Sequence, residues 1–425
     1  MLRMRKVVTA SLAAVAVGFG ALTVTVPSSA ATEPQPQQIS GQIIVKFRDK
    51  GVAAGVLRQN GLSAGAGIGS TGAHLIKVPA GKESQLIESL SRNPAVEYAE
   101  PDQLVTAATD DQYFGRQYAL QNLGQSFTNT DNTQTIASGT PDADVDAVEA
   151  WSITTGSGIK VAIVDTGVAI DHEDISQKVV ARANFSDSKI VNPEDYDKYG
   201  HGTHVAGIVA AEHNSTGVAG VCPGCSILDA KVLNDSGSGS SSAIANGINW
   251  AVEKGAKVIN MSLGQRVSSR VLEAAVNNAW NKGVVLVAAA GNAGTQAKIY
   301  PGAYPNVISV AATDNRDNKA SFSTYGKWVD VAAPGVDVYS TFPIHPFVLG
   351  TQNGRSTGYD IASGTSMASP IVAGAAALAW SSHADATNTS VRANIESTAD
   401  PIPGTGTNWA YGRVNACRAV GSDCK

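Results

Sequence analysis

The sequence predicts an α/β protein: a three-layer fold with a mostly parallel sheet between helices, preceded by a small α+β unit. Three observations predict it. Apolar runs at 160–164, 226–233, 258–261, 284–289 and 307–312 alternate with stretches of helical period at 243–254 and 271–282. Strands apolar along their whole length are buried on both faces, which is the condition of a parallel sheet covered by helices. A last helical stretch at 366–380 is rich in Ala and Gly, and a shorter set of strand-like and helix-like segments over 39–105 has the size of one α+β unit.

The elements follow in order. Arg3, Arg5 and Lys6 precede an uncharged, mostly apolar stretch at 7–26, and small residues at Ser28 and Ala30 mark a cleavage point. That is the three-part pattern of a secretory signal peptide over 1–30. The uncharged stretch is also long enough to anchor in a bilayer, but its small-residue exit favours cleavage, after which no membrane association is expected. Export makes disulfides permissible. Residues 31–108 hold a polar linker at 32–38, then a strand at 42–47, an Ala- and Leu-bearing stretch at 52–62, a strand at 73–78, a helix at 82–90 and a strand at 96–101. Between them Gly67, Gly69 and Gly72 satisfy the spacing of a dinucleotide fingerprint. No strand leads into them and no helix follows, so the segment reads as a loop. Residues 109–425 form the larger unit, in which the polar segment 126–144 reads as surface loop.

Composition excludes several classes. Of 425 residues, 43% are apolar and only 16% charged, which rules out intrinsic disorder. The 43 glycines have no period of three, which rules out a collagen helix. The net charge of −5 argues against a nucleic-acid partner. Residues 1–30 carry +3, residues 31–108 are neutral and residues 109–425 carry −8, so the acidic excess belongs entirely to the larger unit.

The chemistry-bearing residues lie where strands end or helices begin. Asp165 closes the apolar run 161–164, at the sheet edge where open α/β sheets build their sites. His201, in Gly200-His201-Gly202-Thr203-His204, starts a small-residue helix. Ser366 follows Gly364-Thr365 at the start of the last long helix, where backbone N–H groups are free. Asn292 follows Gly291 at a strand end. A serine hydroxyl needs a base to take its proton, an imidazole titrates where it can do so, and a buried carboxylate fixes the imidazole tautomer. An asparagine amide can donate to an oxyanion. Each residue alone has a plain structural reading, as a turn residue or a helix cap. His204 reads as structural: a His201–His204 zinc pair lacks a third ligand and the HExxH pattern. That pair is the basis of the rival reading, a metal-dependent hydrolase.

Together, Asp165-Thr166-Gly167, Gly200-His201-Gly202-Thr203-His204, Gly291-Asn292 and Gly364-Thr365-Ser366-Met367-Ala368-Ser369-Pro370 resemble the motifs of the subtilisin-like serine proteases, the subtilases. The resemblance covers about 113–413. Residues 39–105, ending in Val96-Glu97-Tyr98-Ala99-Glu100-Pro101-Asp102, resemble the inhibitory prodomain of secreted subtilases. It implies a subtilisin-like catalytic fold behind a ferredoxin-like prodomain, and a secreted, monomeric serine endopeptidase acting on protein and peptide substrates. No cofactor is implied for catalysis. Asp165, His201 and Ser366 would be the triad and Asn292 the oxyanion donor; in subtilisin, loss of such a donor costs about 10²–10³-fold in turnover. The prodomain would be an intramolecular inhibitor, removed by self-cleavage between about Leu104 and Asp111.

The resemblance also implies a substrate held as an added strand between Ser238-Gly239 and Ser262-Leu263-Gly264. Ala289, Ala290 and Gly291 would wall the specificity pocket, with Ile299 near its floor and Ala293 at its rim. No fixed charge then faces the pocket, and broad specificity with apolar or aromatic side chains before the scissile bond is expected. A structural calcium site is implied at Asp111, Asp174 and Asn214, with the carbonyls of Glu212, Thr216 and Val218; hard oxygen ligands suit that ion. Asn214-Ser215-Thr216 is also a glycosylation sequon, which ligation would exclude. Cys222, Cys225, Cys417 and Cys424 allow three pairings. Local pairs, Cys222–Cys225 and Cys417–Cys424, are the expected ones.

Overall fold

The computed structural model describes residues 38–103 and 111–422. The expected signal peptide, nearly all of the linker, the processing window short of Asp111, and Cys424 lie outside the described residues. The chain divides into two compact units, with the division at Val105 and Thr106.

The first unit runs β1 (Gln38–Phe47), α1 (Ala53–Gln59), β2 (Ala66–Gly67), β3 (Ala73–Lys77), α2 (Glu83–Ser91) and β4 (Val96–Gln103). Its strands pair antiparallel in the order β2-β3-β1-β4. Along β1 the side chains of Ile43, Val45 and Phe47 are buried while their neighbours are not. One apolar face therefore packs with Leu57 of α1 and Leu90 of α2, as expected of an antiparallel sheet solvated on its other side. The glycine-rich segment contributes the short strand β2, so it is less of a loop than its composition predicts.

The second unit is built on eight strands: β5 (Lys160–Asp165), β6 (Val179–Asn184), β7 (Ser226–Lys231), β8 (Val258–Met261), β9 (Val285–Ala289), β10 (Ile308–Thr313), β11 (Val331–Pro334) and β12 (Gly412–Arg413). They lie in the order β12-β11-β10-β9-β8-β5-β7-β6, and every pair is parallel. Its longer helices are α3 (His201–Ala210), α4 (Ser241–Glu253), α5 (Arg270–Asn281), α6 (Thr365–Ser382) and α7 (Asn388–Ser397). Strand alternation divides the core. Val161 and Ile163 face the layer of α3 and α6, while Ala162 and Val164 face α4 and α5. The central strands β5, β8, β9 and β10 are covered on both faces and so are almost wholly buried and mainly apolar, whereas the edge strand β6 is half-exposed.

The segment 126–144 departs from its polar composition. Phe127 and Ile136 are buried with Tyr118 and Tyr339, and their strands form a two-stranded hairpin. Two anchors among many polar residues hold it down. Among the described residues, no helix is long and apolar enough to cross a membrane.

Candidate active site

Asp165 is the last residue of β5 and fully buried. Its Oδ1 accepts from the Thr166 backbone N–H at 2.7 Å and from His201 Nδ1 at 2.8 Å. Its Oδ2 has no hydrogen-bond partner among the described residues. His201 is the first residue of α3, entered through Gly200 at φ +96°. The helix can approach the Asp165 loop only because residue 202 is glycine: a β-carbon there would sit 2.1 Å from the Gly167 carbonyl oxygen.

A second buried carboxylate joins the two segments. Asp197 Oδ1 accepts from Thr166 Oγ1 at 2.8 Å and from the Gly200 N–H at 2.8 Å, and its Oδ2 accepts from Thr203 N–H and Oγ1 at 2.9 and 2.6 Å. Thr166 Oγ1 in turn accepts from the Gly202 N–H at 2.8 Å. The residue after Asp165 and the first turn after His201 are thus tied through one side chain. Burial alone would lower the His201 pKa, but the Asp165 charge and hydrogen bond, with Asp197 behind them, outweigh it, and the pKa lies above the ordinary histidine value.

Ser366 is the second residue of α6, whose N-cap is Gly364. Its hydroxyl donates to the Ser262 carbonyl at 3.2 Å, and Ser262 Oγ donates to the Ser366 carbonyl at 2.8 Å. Among the described residues no hydrogen bond joins Ser366 to His201. A serine hydroxyl rotates freely, and such contacts commonly tighten only when substrate is bound. Asn292 lies three residues beyond the end of β9. Its Oδ1 accepts from Thr365 N–H and Thr365 Oγ1, both at 2.9 Å. With the oxygen so engaged, the amide can point only its N–H groups away from Thr365.

Two adjoining hollows gather the expected residues. His201, Ser238, Gly239 and Ser262 line one; Ala289, Gly291, Asn292, Ile299 and Ser366 line the other; Leu263, Gly264 and Gln265 are shared. Two expectations are corrected. Ala290 is not a wall of the cleft: its side chain packs in the core with Val329, Ala332 and Trp409, because neighbouring residues at the end of β9 point to opposite faces. A fixed charge does line the second hollow, at Arg266. Its signal was already present as Gln265-Arg266, directly after Ser262-Leu263-Gly264. Tyr199, Ile244, Leu272 and Tyr300, which the motifs do not mark, line the first hollow.

His204 is fully buried, its Nε2 lies 3.2 Å from the Asp360 carbonyl, and burial holds its pKa down at about 3. Its ring packs 4.6 Å from that of Phe342, away from the cleft-lining residues. It lines neither hollow, in keeping with a structural role.

The expected cation residues converge elsewhere. Asp111 Oδ1 accepts from the Asn214 and Ser215 N–H groups, both at 2.9 Å, and Asp174 Oδ2 accepts from the Val218 N–H at 2.8 Å. The second oxygen of each carboxylate is buried without a partner among the described residues. Burial, reinforced by the Asp111 charge, pushes the Asp174 pKa up to about 8. Two buried, half-satisfied carboxylates fit a bound cation. No group of three His, Cys, Asp or Glu able to hold a metal occurs among the described residues, so carbonyl and amide oxygens of 212–218 would complete the shell, a donor set for a hard ion. In this structure Asn214 Oδ1 accepts from the Thr216 N–H at 2.9 Å, and its Nδ2 donates to Glu212 Oε2 at 3.0 Å. Cys222 and Cys225 form a disulfide. Cys417 is disulfide-bonded as well, and Cys424, its expected partner, lies outside the described residues.

Comparison with known proteins bears on the same residues. The model of the Subtilase family matches 156–414, and that of the Fervidolysin N-terminal prodomain matches 25–102. Thermitase of Thermoactinomyces vulgaris is 54% identical over 277 residues, 65% of this chain and 93% of the relative. The Thermophilic serine proteinase of Bacillus sp. (strain AK1) is 42% identical over 390 residues, 90% of this chain and 88% of the relative. A solved protease from Pseudoalteromonas arctica PAMC 21717 superposes with a TM-score of 0.61 at 30% identity, covering 73% of this chain and 98% of that one.

Proposed function

Since the chain belongs to the subtilase family of serine peptidases and carries a prodomain ahead of its peptidase domain, we propose that it cleaves internal peptide bonds with Asp165, His201 and Ser366 as its triad. The observation that carries this reading is the 2.8 Å contact of His201 Nδ1 with the buried Asp165. It sets the tautomer: with the proton on Nδ1, Nε2 is left as the base. Ser366 Oγ, turned from the Ser262 carbonyl, attacks the scissile carbonyl carbon while its proton passes to His201 Nε2. Asp165 holds the imidazolium that forms. The oxyanion receives hydrogen bonds from Asn292 Nδ2 and the Ser366 N–H. The tetrahedral adduct collapses as His201 returns the proton to the leaving amine, and water repeats the cycle to release the acyl group.

Substrate lies as an extended strand between 238–239 and 262–264, which gives affinity through backbone bonds and broad specificity. Apolar and aromatic side chains are accepted over Ile299 and Ala289. Asp111, Asp174 and Asn214, with the carbonyls of Glu212, Thr216 and Val218, would hold a structural calcium ion, which would neutralise the charge of two buried carboxylates and not enter the reaction. The protein is exported through residues 1–30, matures by cutting itself between Leu104 and Asp111, and acts as an extracellular monomer.

Ser366→Ala tests the reading. It should leave a secreted precursor that still carries its prodomain and has no activity on casein, whereas the wild type yields a mature N-terminus within 104–111. Normal maturation of the variant would exclude self-processing. Survival of wild-type activity in a serine-directed sulfonyl fluoride would exclude the nucleophile.

A further inference from the structure

The second hollow, which holds Ser366 and Asn292, also holds the exposed Arg266. Its side chain makes no hydrogen bond, ion pair or ring contact among the described residues. Arg182, Arg392 and Arg413, by contrast, are each held by carboxylates. No Asp or Glu lines either hollow. The guanidinium therefore stands unneutralised at the cleft of a unit whose net charge is −8.

Its position is held from behind. Gln265 exchanges two backbone hydrogen bonds with Tyr300, both 2.8 Å. The Gln265 side chain accepts from Ser241 Oγ at 3.0 Å and donates to the Val267 carbonyl at 2.8 Å. These contacts bracket Arg266 on both sides. The hollow below it is closed by Ile299: a β-carbon on Gly264 would lie 2.4 Å from Ile299 Cγ2, and one on Gly291 would lie 2.8 Å from Ile299 Cγ1. Ile299 therefore packs between the two glycines and gives the hollow an apolar surface alongside the exposed Arg266.

We propose that Arg266 is a specificity-determining residue that favours glutamate over its uncharged isostere glutamine immediately before the scissile bond, an inference that rests on the assignment of Ser366 as nucleophile and of this hollow as the pocket for that residue. The aliphatic stem of Glu lies along Ile299 and Ala289, and its carboxylate meets the guanidinium at the mouth. Gln has the same shape without the charge, so the Glu-to-Gln ratio isolates the ion pair.

The test uses the mature wild-type enzyme and short peptides that differ only in Glu or Gln before the cleaved bond, with kcat/KM as readout. An exposed ion pair is expected to favour Glu by about two- to five-fold. The preference should fade in molar salt, where charges are screened within about 3 Å. Arg266→Gln should bring the ratio to about one, and Arg266→Glu should reverse it while raising cleavage after Lys relative to Gln. A ratio unchanged in both variants overturns the proposal. An equal gain when Glu is moved to the second or third position before the bond overturns its placement in this hollow. Residual cleavage by Ser366→Ala would strike the underlying assignment instead, and is read separately.

Discussion

Asn292 shows how little of a functional side chain's role lies in the residue itself. Its Oδ1 is occupied by both donors of Thr365, so its N–H groups are what remain for an oxyanion. Asn292→Ala should lower kcat by about 10²–10³-fold with little change in KM, since the donor acts on charge that develops only in the transition state; steady-state kinetics on one peptide would show it. Asp165 acts on His201 in two ways, through charge and through the tautomer. The His201 pKa is raised, and only neutral imidazole is a base, so activity should fall as pH drops through a midpoint above the ordinary histidine value. Asp165→Asn should move that acid limb to lower pH while cutting turnover by about 10⁴-fold. An unmoved limb in the pH profile of kcat/KM would mean that another group sets it.

At the scale of elements, the site depends on how α3 is seated against the loop after β5. Gly202 allows the approach, and Asp197 binds the Thr166 hydroxyl to the first turn of the helix. None of this is carried by the strand and helix periods. Further along, the turn before β7 is stapled by the Cys222–Cys225 disulfide, whose sulfurs pack on Gly156 so closely that a β-carbon there would lie 2.0 Å from Cys222 Sγ. A bridge over so short a loop restricts the unfolded chain only modestly. Cys222→Ala/Cys225→Ala should therefore cost about 2 kcal/mol in denaturant unfolding and leave kcat unchanged. A loss of activity without loss of stability would assign the bridge a different role.

For the molecule as a whole, the cation reading makes a claim about stability and not about rate. Asp111 and Asp174 come from distant parts of the chain and meet at the segment 212–218, each with one buried oxygen unsatisfied. A bound calcium would tie these segments together in the folded state only. At a free concentration one hundred times its Kd it would contribute about 2.7 kcal/mol. Chelation should lower Tm and leave the initial rate of the mature enzyme unchanged over a short assay. Asp174→Asn should remove most of the calcium dependence of Tm, and a Tm indifferent to chelator in the wild type would dismiss the site.

Most of the central strands and longer helices, and the four motifs that match the subtilase family, were legible in the sequence, because a parallel strand buried on both faces is apolar along its length and because the motifs are short runs rich in glycine and small residues. The edge strand β6, with its half-exposed pattern, the two-residue β12 and the buried but four-residue β11 were not, since strands so short or so solvated leave no periodic trace. Residues 165, 201, 292 and 366 could be named from the chain alone, along with the chemistry their side chains are able to perform. The tertiary structure decided the rest: that Ala290 turns into the core while Ala289 and Gly291 line the cleft, that Ile299 packs against Gly264 and Gly291, and that Arg266 joins the same hollow with no partner among the described residues. Orientation and pairing belong to neighbours brought together from far along the chain, and a one-residue step on a strand reverses which side a residue faces.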